Sequence, residues 1–307
     1  MKGAVCTMQR VRGIELIDSS GEELLAGFSA EFAYLASRAE LDHYPSCGAP
    51  WHWHRPVELF YIESGTLEYT TPNETRVFPA GSGGFIGSNV LHASRVLPSQ
   101  EETVTLIHLF APELLSGGAD TRIHEKYIRP LLDAPGAELI ALRPEIPREA
   151  AILDALRASF ELDEGAFGYE LQLRERLTNI WLSLWELAQN SQTPAHRDRS
   201  ADAPLKAMLR FIHTHYAQPV TIDQIAAAAP VSRRVCFRLF QEHLHTTPLE
   251  YLTDCRLQNA CRRLLQTGES VTQIAYACGL GSSSYFGKRF RERFGCTPAQ
   301  FRRMARS

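Results

Sequence analysis

Residues 220–252 read VTIDQIAAAAPVSRRVCFRLFQEHLHTTPLEYL, and residues 270–301 read SVTQIAYACGLGSSSYFGKRFRERFGCTPAQF. The two passages share one design. Placing Ile225-Ala226 over Ile274-Ala275 also brings Val231 onto Leu280, Phe240 onto Phe290 after one insertion, and Thr247-Pro248 onto Thr297-Pro298. Such a repeat is one supersecondary unit used twice. Each copy predicts a short helix, a tight turn and a longer basic helix. Thr221 and Thr272, with Asp223 nearby, stand near the starts of the short helices, and Ser232 and Ser282 are placed to cap the longer ones. Cys278-Gly279-Leu280 supplies a glycine for a left-handed turn residue. On the longer helices Cys236, Leu239 and Phe240 share one face, as do Phe286 and Phe290. The opposite faces carry Arg233, Arg234, Phe237, Arg238 and Gln241 in the first copy, and Ser283, Ser284, Gly287, Lys288 and Arg291 in the second.

Charge separates this region from the rest of the chain. The net charge of the 307 residues is −3, but from Pro204 onward there are 15 Lys and Arg against 6 Asp and Glu, whereas the first 203 residues hold 17 against 29. The polar, proline-flanked stretch SQTPAHRDRSADAP, residues 191–204, is the expected linker between an acidic and a basic part. A basic module of about a hundred residues points to a polyanion. A helix fits the major groove, where Arg or Lys bonds guanine edges and Ser bonds several bases. Between the copies, residues 249–266 have helical spacing at Leu252, Leu257, Leu264 and Leu265, a spacer able to hold two recognition helices roughly 34 Å, one DNA turn, apart.

The run from Pro219 to Arg303, with IAYACGL, SSSYFGKRFRERFG, TPAQFR and TPLEYL, resembles the DNA-binding domain of the AraC/XylS family. The resemblance implies base contacts from Arg234, Phe237 and Arg238, then from Ser283, Ser284, Gly287 and Lys288; Arg233, on the same exposed face, is a further candidate DNA contact. Two positions depart from it. Pro230 stands in the first turn where a small or polar residue is usual, and Phe237 stands where a polar reader is common, so Phe237 either touches thymine methyls or packs.

The acidic part reads, from about Glu31 to Phe110, as short strands punctuated by Gly, Pro and Asn, a small barrel or sandwich. In WHWHRPVELFYIESG, residues 51–65, strand alternation lets His52, His54, Glu58, Phe60 and Ile62 share a face, with Trp53, Leu59 and Tyr61 on the other. This passage resembles the first cupin motif, with His52, His54, Glu58 and Gly65 at its spacings. Pro79, Gly81 and His92 fit a looser second motif, with Asn89 in place of a glycine, no proline before His92, and Gly48 closer to His52 than the family's leading glycine. The resemblance implies that His52, His54, Glu58 and His92 converge on one pocket, where they hold a divalent transition metal or remain as ligand contacts without one. Arg38 and Phe60 are further candidate ligand contacts, with a salt bridge as the alternative for Arg38. Aromatic residues such as Trp51 and Phe85 are expected in the core rather than stacked on a sugar.

The fold class expected is α+β: a cupin-like β-barrel over residues 1–147, amphipathic dimerisation helices over 148–190, the linker 191–204, and an all-α domain with two helix-turn-helix units over 205–307. Apolar spacing at Ile152, Leu153, Leu156 and Phe160, and at Leu173, Leu177, Ile180, Leu184 and Leu187, marks the middle helices, which cover the barrel, pair two copies of the chain, or both. The function expected is a transcription regulator, an activator that binds double-stranded DNA, answers to a small polar metabolite such as a sugar, works as a homodimer and addresses RNA polymerase. The alternative is a metal-dependent cupin enzyme fused to a DNA-binding module. No run of about 20 apolar residues exists to cross a membrane, no secretory signal opens the chain, and seven cysteines without a CxxC pair suit reduced thiols, so a cytoplasmic protein is expected.

Overall fold

The computed structural model describes residues 8–17, 21–45, 47–134, 136–190 and 199–304. Contacts divide the chain into two units, Met1–Glu15 with Glu23–Arg197, and Leu16–Glu22 with Asp198–Ser307. Residues 191–198 of the expected linker lie outside the described residues, and from Arg199 the chain is helical.

The first unit contains the strands β1 (Gln9–Val11), β2 (Tyr34–Glu40), β3 (Val57–Ser64), β4 (Thr66–Thr70), β5 (Thr75–Pro79), β6 (Gly83–Ile86), β7 (Ala93–Val96), β8 (Val104–Phe110) and β9 (Leu139–Leu142). They form two sheets, a six-stranded one in the order β1-β2-β8-β3-β6-β9 and a three-stranded one in the order β5-β4-β7. The expected barrel is therefore not closed. Gly65 explains the break: at φ +74 it turns β3 directly into β4, and a Cβ there would lie 2.6 Å from the Thr103 Cα. Glycine alone accepts both conditions. The chain leaves the six-stranded sheet at this turn, and β4 takes β5 and β7 as its neighbours.

Alternation along β3 divides the core in two. Val57 and Leu59 point to the outer face with Phe85, Phe110 and Leu142, and Phe60 and Ile62 point to the space between the sheets with Ile86, Leu67, Tyr69 and Phe78. The short helices α1 (Glu113–Ser116) and α2 (Arg129–Leu132) precede β9, and α3 (Pro147–Ser159) and α4 (Tyr169–Asn190) follow it. Ile152, Leu153 and Leu156 of α3 and Leu173, Leu177, Ile180, Trp181 and Leu184 of α4 close over the outer face. The apolar stripes read from the sequence thus cover their own sheet, each buried side chain stabilising by about 1.5 to 3 kcal/mol.

The second unit is helical: α5 (Arg199–His215), α6 (Ile222–Ala227), α7 (Arg233–Leu244), α8 (Pro248–Gln266), α9 (Val271–Ala277), α10 (Ser283–Phe294) and α11 (Pro298–Met304). Here α6 with α7, and α9 with α10, are the two expected helix-turn-helix units, and α8 is the expected spacer. Thr221 caps α6 in a capping box with Gln224, and Ser270 caps α9 with Gln273. The cap of α9 is therefore Ser270, two residues before Thr272, because its hydroxyl accepts the Gln273 amide while Gln273 reaches back to the Ser270 amide. Ser232 and Ser282 accept the Val235 and Tyr285 amides at the starts of α7 and α10. Cys236, Cys255, Cys261 and Cys278 are buried free thiols among the core residues. Among the described residues no helix is long and apolar enough to cross a membrane.

Candidate effector site and nucleic-acid interface

In the first unit the chain before β3 and the chain before β7 meet in an isolated antiparallel bridge, His52 to His92. His52 and His54 thus precede β3 rather than belonging to it, and Glu58 alone of the motif's first three residues is in the strand. The spacing still gathers them. His52, His54 and His92 are all buried, and their ligand nitrogens lie within 4.8 Å of one another. Each ring is fixed the same way: Nδ1–H donates to a backbone carbonyl, His52 to Pro50 at 2.7 Å, His54 to Pro56 at 2.8 Å and His92 to Val90 at 2.9 Å. A carbonyl can only accept, so each Nδ1 carries a proton and each Nε2 faces the centre.

Two carboxylates flank the three rings. Glu58 Oε2 lies 3.2 Å from His54 Nε2 and 3.7 Å from His92 Nε2, and its Oε1 accepts the Tyr69 hydroxyl at 2.7 Å. Glu23, which the sequence reading passed over, brings its Oε2 to 3.7 Å from His52 Nε2. Burial would raise the Glu58 pKa, but the His54 hydrogen bond and the nearby His92 imidazole outweigh it and hold it well below the usual carboxylate range. Desolvation works against charge on His54, yet the bonded Glu58 wins and raises its pKa. Desolvation and the neighbouring rings push His52 down. Burial pushes Glu23 up to about 7, opposed by His54 and reinforced by Glu58.

These groups fit a divalent metal on an observation of the fold itself. His92 Nε2 is buried without a hydrogen-bond partner, and locking the far nitrogen of each ring to a carbonyl is how ligating histidines are oriented. Above the rings opens a cavity of about 320 Å³ whose wall includes residues 9–15, Glu23 to Ala26, Leu35, Ser37, Tyr44, Ile107 and Leu109.

Arg38 and Phe60 do not reach it. Arg38 has the strand parity of Tyr34 and Ala36, which belong to the outer face, so Ser37 lines the cavity instead, and Arg38 pairs with Glu40 at 3.4 Å and Glu63 at 2.5 Å. Phe60 is wholly buried between Tyr69 and Phe78, at ring distances of 4.4 and 4.9 Å, and belongs to the core. Asn89, where a glycine was expected, adopts φ +58, a conformation asparagine tolerates.

In the second unit α7 buries Cys236, Leu239, Phe240 and Leu244, and α10 buries Phe286 and Phe290. Arg233, Arg234, Arg238 and Gln241 are exposed on α7, with Phe237 half-buried; Ser283, Ser284, Lys288 and Arg291 are exposed on α10. Gly287 is half-buried, and a Cβ there would meet nothing within 4 Å. Tyr285, 47% exposed beside the two serines, was missed by the sequence reading, its signal being only an aromatic residue on an otherwise polar face. Arg238 has a loose pair with Glu242 at 3.9 Å. The N-terminal turns of both helices therefore present cations and hydroxyls to solvent, as groove readers must.

Residues 225–304 match the family model described as a helix-turn-helix domain. The chain is 26% identical to the uncharacterized HTH-type transcriptional regulator YdeC of Bacillus subtilis, over 94% of this chain and 98% of that one. It is 31% identical to the HTH-type transcriptional regulator ArgR of Pseudomonas aeruginosa, over 51% of this chain and 47% of that one, and 37% identical to the HTH-type transcriptional activator RhaS of an Enterobacter species, over 33% and 36%. The chain thus spans nearly all of the first relative but half or less of the other two. Among solved structures, a transcriptional regulator with an AraC-type DNA-binding domain from Chromobacterium violaceum is similar at 32% identity, covering 35% of this chain and 96% of that one, with a TM-score of 0.34. These relatives are named as transcriptional regulators, and the helix-turn-helix match supports DNA binding and transcription regulation by this chain.

Proposed function

We propose that this chain, which carries an AraC-type helix-turn-helix domain and has AraC-family regulators as homologues, reads DNA with α7 and α10 under the control of a small molecule held in its first unit. Arg233, Arg234, Phe237 and Arg238 contact one half-site, and Ser283, Ser284, Gly287 and Lys288 the next. The exposed, capped N-terminal turns of the two helices carry this reading. The division into residues 1–147, 148–190, 191–204 and 205–307 assigns sensing, pairing, linking and DNA binding in turn.

The effector is a small polar metabolite such as a sugar. The cavity that ends on His52, His92 and Glu58 supports this, since it joins apolar walls from Leu35, Ile107 and Leu109 to a few convergent polar groups. His52, His54, Glu58 and His92 hold a divalent transition metal at its floor; when bound, such an ion supplies a Lewis-acidic anchor for an effector's oxygen atoms. Dimerisation uses the outer side of α4, where Leu171 and Leu182 stay exposed after the inner stripe is buried. The regulator acts as an activator in the cytoplasm, with RNA polymerase as its partner.

A thermal-shift screen of the full chain against sugars and related polar metabolites tests the sensing reading. One compound should raise the melting temperature saturably, and His52→Ala should abolish the rise. A rise that survives His52→Ala, or no rise with any compound, contradicts it.

A further inference from the structure

Two polar groups at the floor of the cavity are left incomplete by the fold, and they face the same space. One is His92 Nε2, buried without a hydrogen-bond partner. The other is the Glu23 carboxylate, whose side chain is 13% exposed and whose contact with the rings, His52 Nε2 at 3.7 Å, is too long for a hydrogen bond. Glu58, by contrast, accepts from Tyr69 at 2.7 Å and meets His54 at 3.2 Å. A carboxylate taken out of water without donors is costly, and a cation among its neighbours removes the cost.

The position of Glu23 is built rather than incidental. Its backbone amide donates to the Trp53 carbonyl at 2.8 Å, so the main chain at Glu23 is pinned beside the residue that separates His52 from His54. The next residue, Leu24, donates to the Glu15 carbonyl at 2.7 Å, which ties this short segment to residues 9–15 of the cavity wall. Glu58 flanks the rings on the side of His54 and His92, and Glu23 flanks them on the side of His52.

We infer that Glu23 is a protein ligand of a divalent transition metal centred on His52, His54 and His92, a ligand outside the His-x-His, Glu and His spacing. The set is then three imidazoles and two carboxylates, mixed nitrogen and oxygen donors of the kind that hold zinc, iron or nickel. Because Glu23 belongs to the cavity wall, the ion fastens residues 23–26 to the segment before β3, and the wall closes fully only when metal is present. This rests on the metal reading of the three histidines and adds a residue and a consequence to it.

Cobalt(II) titration of the full-length, chelator-stripped protein tests the inference, with visible absorbance as the readout of coordination and proteolysis of the wall as the readout of closure. The wild type should bind one ion per chain, and Glu23→Gln should weaken binding about tenfold or more, change the cobalt spectrum and remove the metal-dependent protection of residues 9–15 and 23–26. Glu23→Asp, which keeps the carboxylate, should recover part of the affinity, and circular dichroism of both variants checks that they fold. If Glu23→Gln binds cobalt with wild-type affinity and spectrum while His52→Ala does not bind, Glu23 is no ligand and the histidine site stands alone. If the wild type binds no cobalt, both readings fall.

Discussion

Pro230 and Gly279 occupy equivalent turns of the two helix-turn-helix units, and they meet one backbone demand with opposite chemistries. Gly279 has φ +68, which glycine accepts freely; Pro230 has φ +25, far from the value near −65° that its ring prefers. Pro230→Gly should relieve that strain against a smaller loss of rigidity in the unfolded chain. The net gain expected is about 1 kcal/mol, or several degrees in the melting temperature of the second unit; an unchanged or lower value contradicts it. At this scale the sequence flagged Pro230 as out of place but could not give its φ. The same limit applied to Arg38 and Glu23. Arg38 was put forward without fixing its parity in β2, and one residue of register decides between cavity and outer surface. Glu23 lies far in sequence from the histidines, in a stretch with no periodicity, so only the folded chain brings it to them.

Helices and caps were the most legible elements. Ser232 and Ser282 could be placed because a hydroxyl just before an amphipathic run has one physical use, to accept amides that the first turn leaves unpaired. Ser232→Ala and Ser282→Ala should each cost about 1 kcal/mol of stability, measured by denaturant unfolding of the second unit. A loss well below half of that would mean that solvent serves equally well. The amphipathic helices after the barrel-like strands were also visible, but not what their stripes meet. Leu173, Leu177, Ile180 and Leu184 turn out to cover the unit's own sheet, and Leu171 and Leu182 keep a second face open. Replacing both exposed leucines by Glu should shift the sedimentation of the purified protein toward monomer without unfolding it; an unchanged assembly state removes α4 from the proposed interface. The sheets were the least legible elements, since hydrophobic alternation finds strands but not their partners, and closure of a barrel depends on pairing.

Across the whole molecule, charge segregation was the earliest sign of function, because 15 cations against 6 anions in the last 104 residues need no structure to be counted. DNA affinity should therefore fall steeply with salt, with a negative slope in a plot of log affinity against log salt that Lys288→Ala makes shallower by about one if this lysine meets a phosphate. Both units also bury a neutral imidazole. Burial holds His108 down to about 3 and His213 down to about 4. The unfolded chain takes up protons at these positions below about pH 6.5 while the folded one does not. Stability should then decline as pH falls from 6.5 toward 4, and His108→Gln should flatten that decline in the first unit. A melting temperature that stays level or rises over this range contradicts the assignment.

Reading of DNA sequence by the two capped helices α7 and α10 is open to direct measurement. The most direct measurement compares binding of the full chain to DNA selected from a random pool with binding to unselected DNA at the same salt, for the wild type and Arg234→Ala. The expected result is at least about a thousandfold preference for the selected site, two half-sites about one helical turn apart, and a loss of about 1 to 3 kcal/mol in Arg234→Ala confined to one position of the first half-site. Equal affinity for selected and unselected DNA, or a loss in Arg234→Ala that is uniform over all sequences, would contradict it.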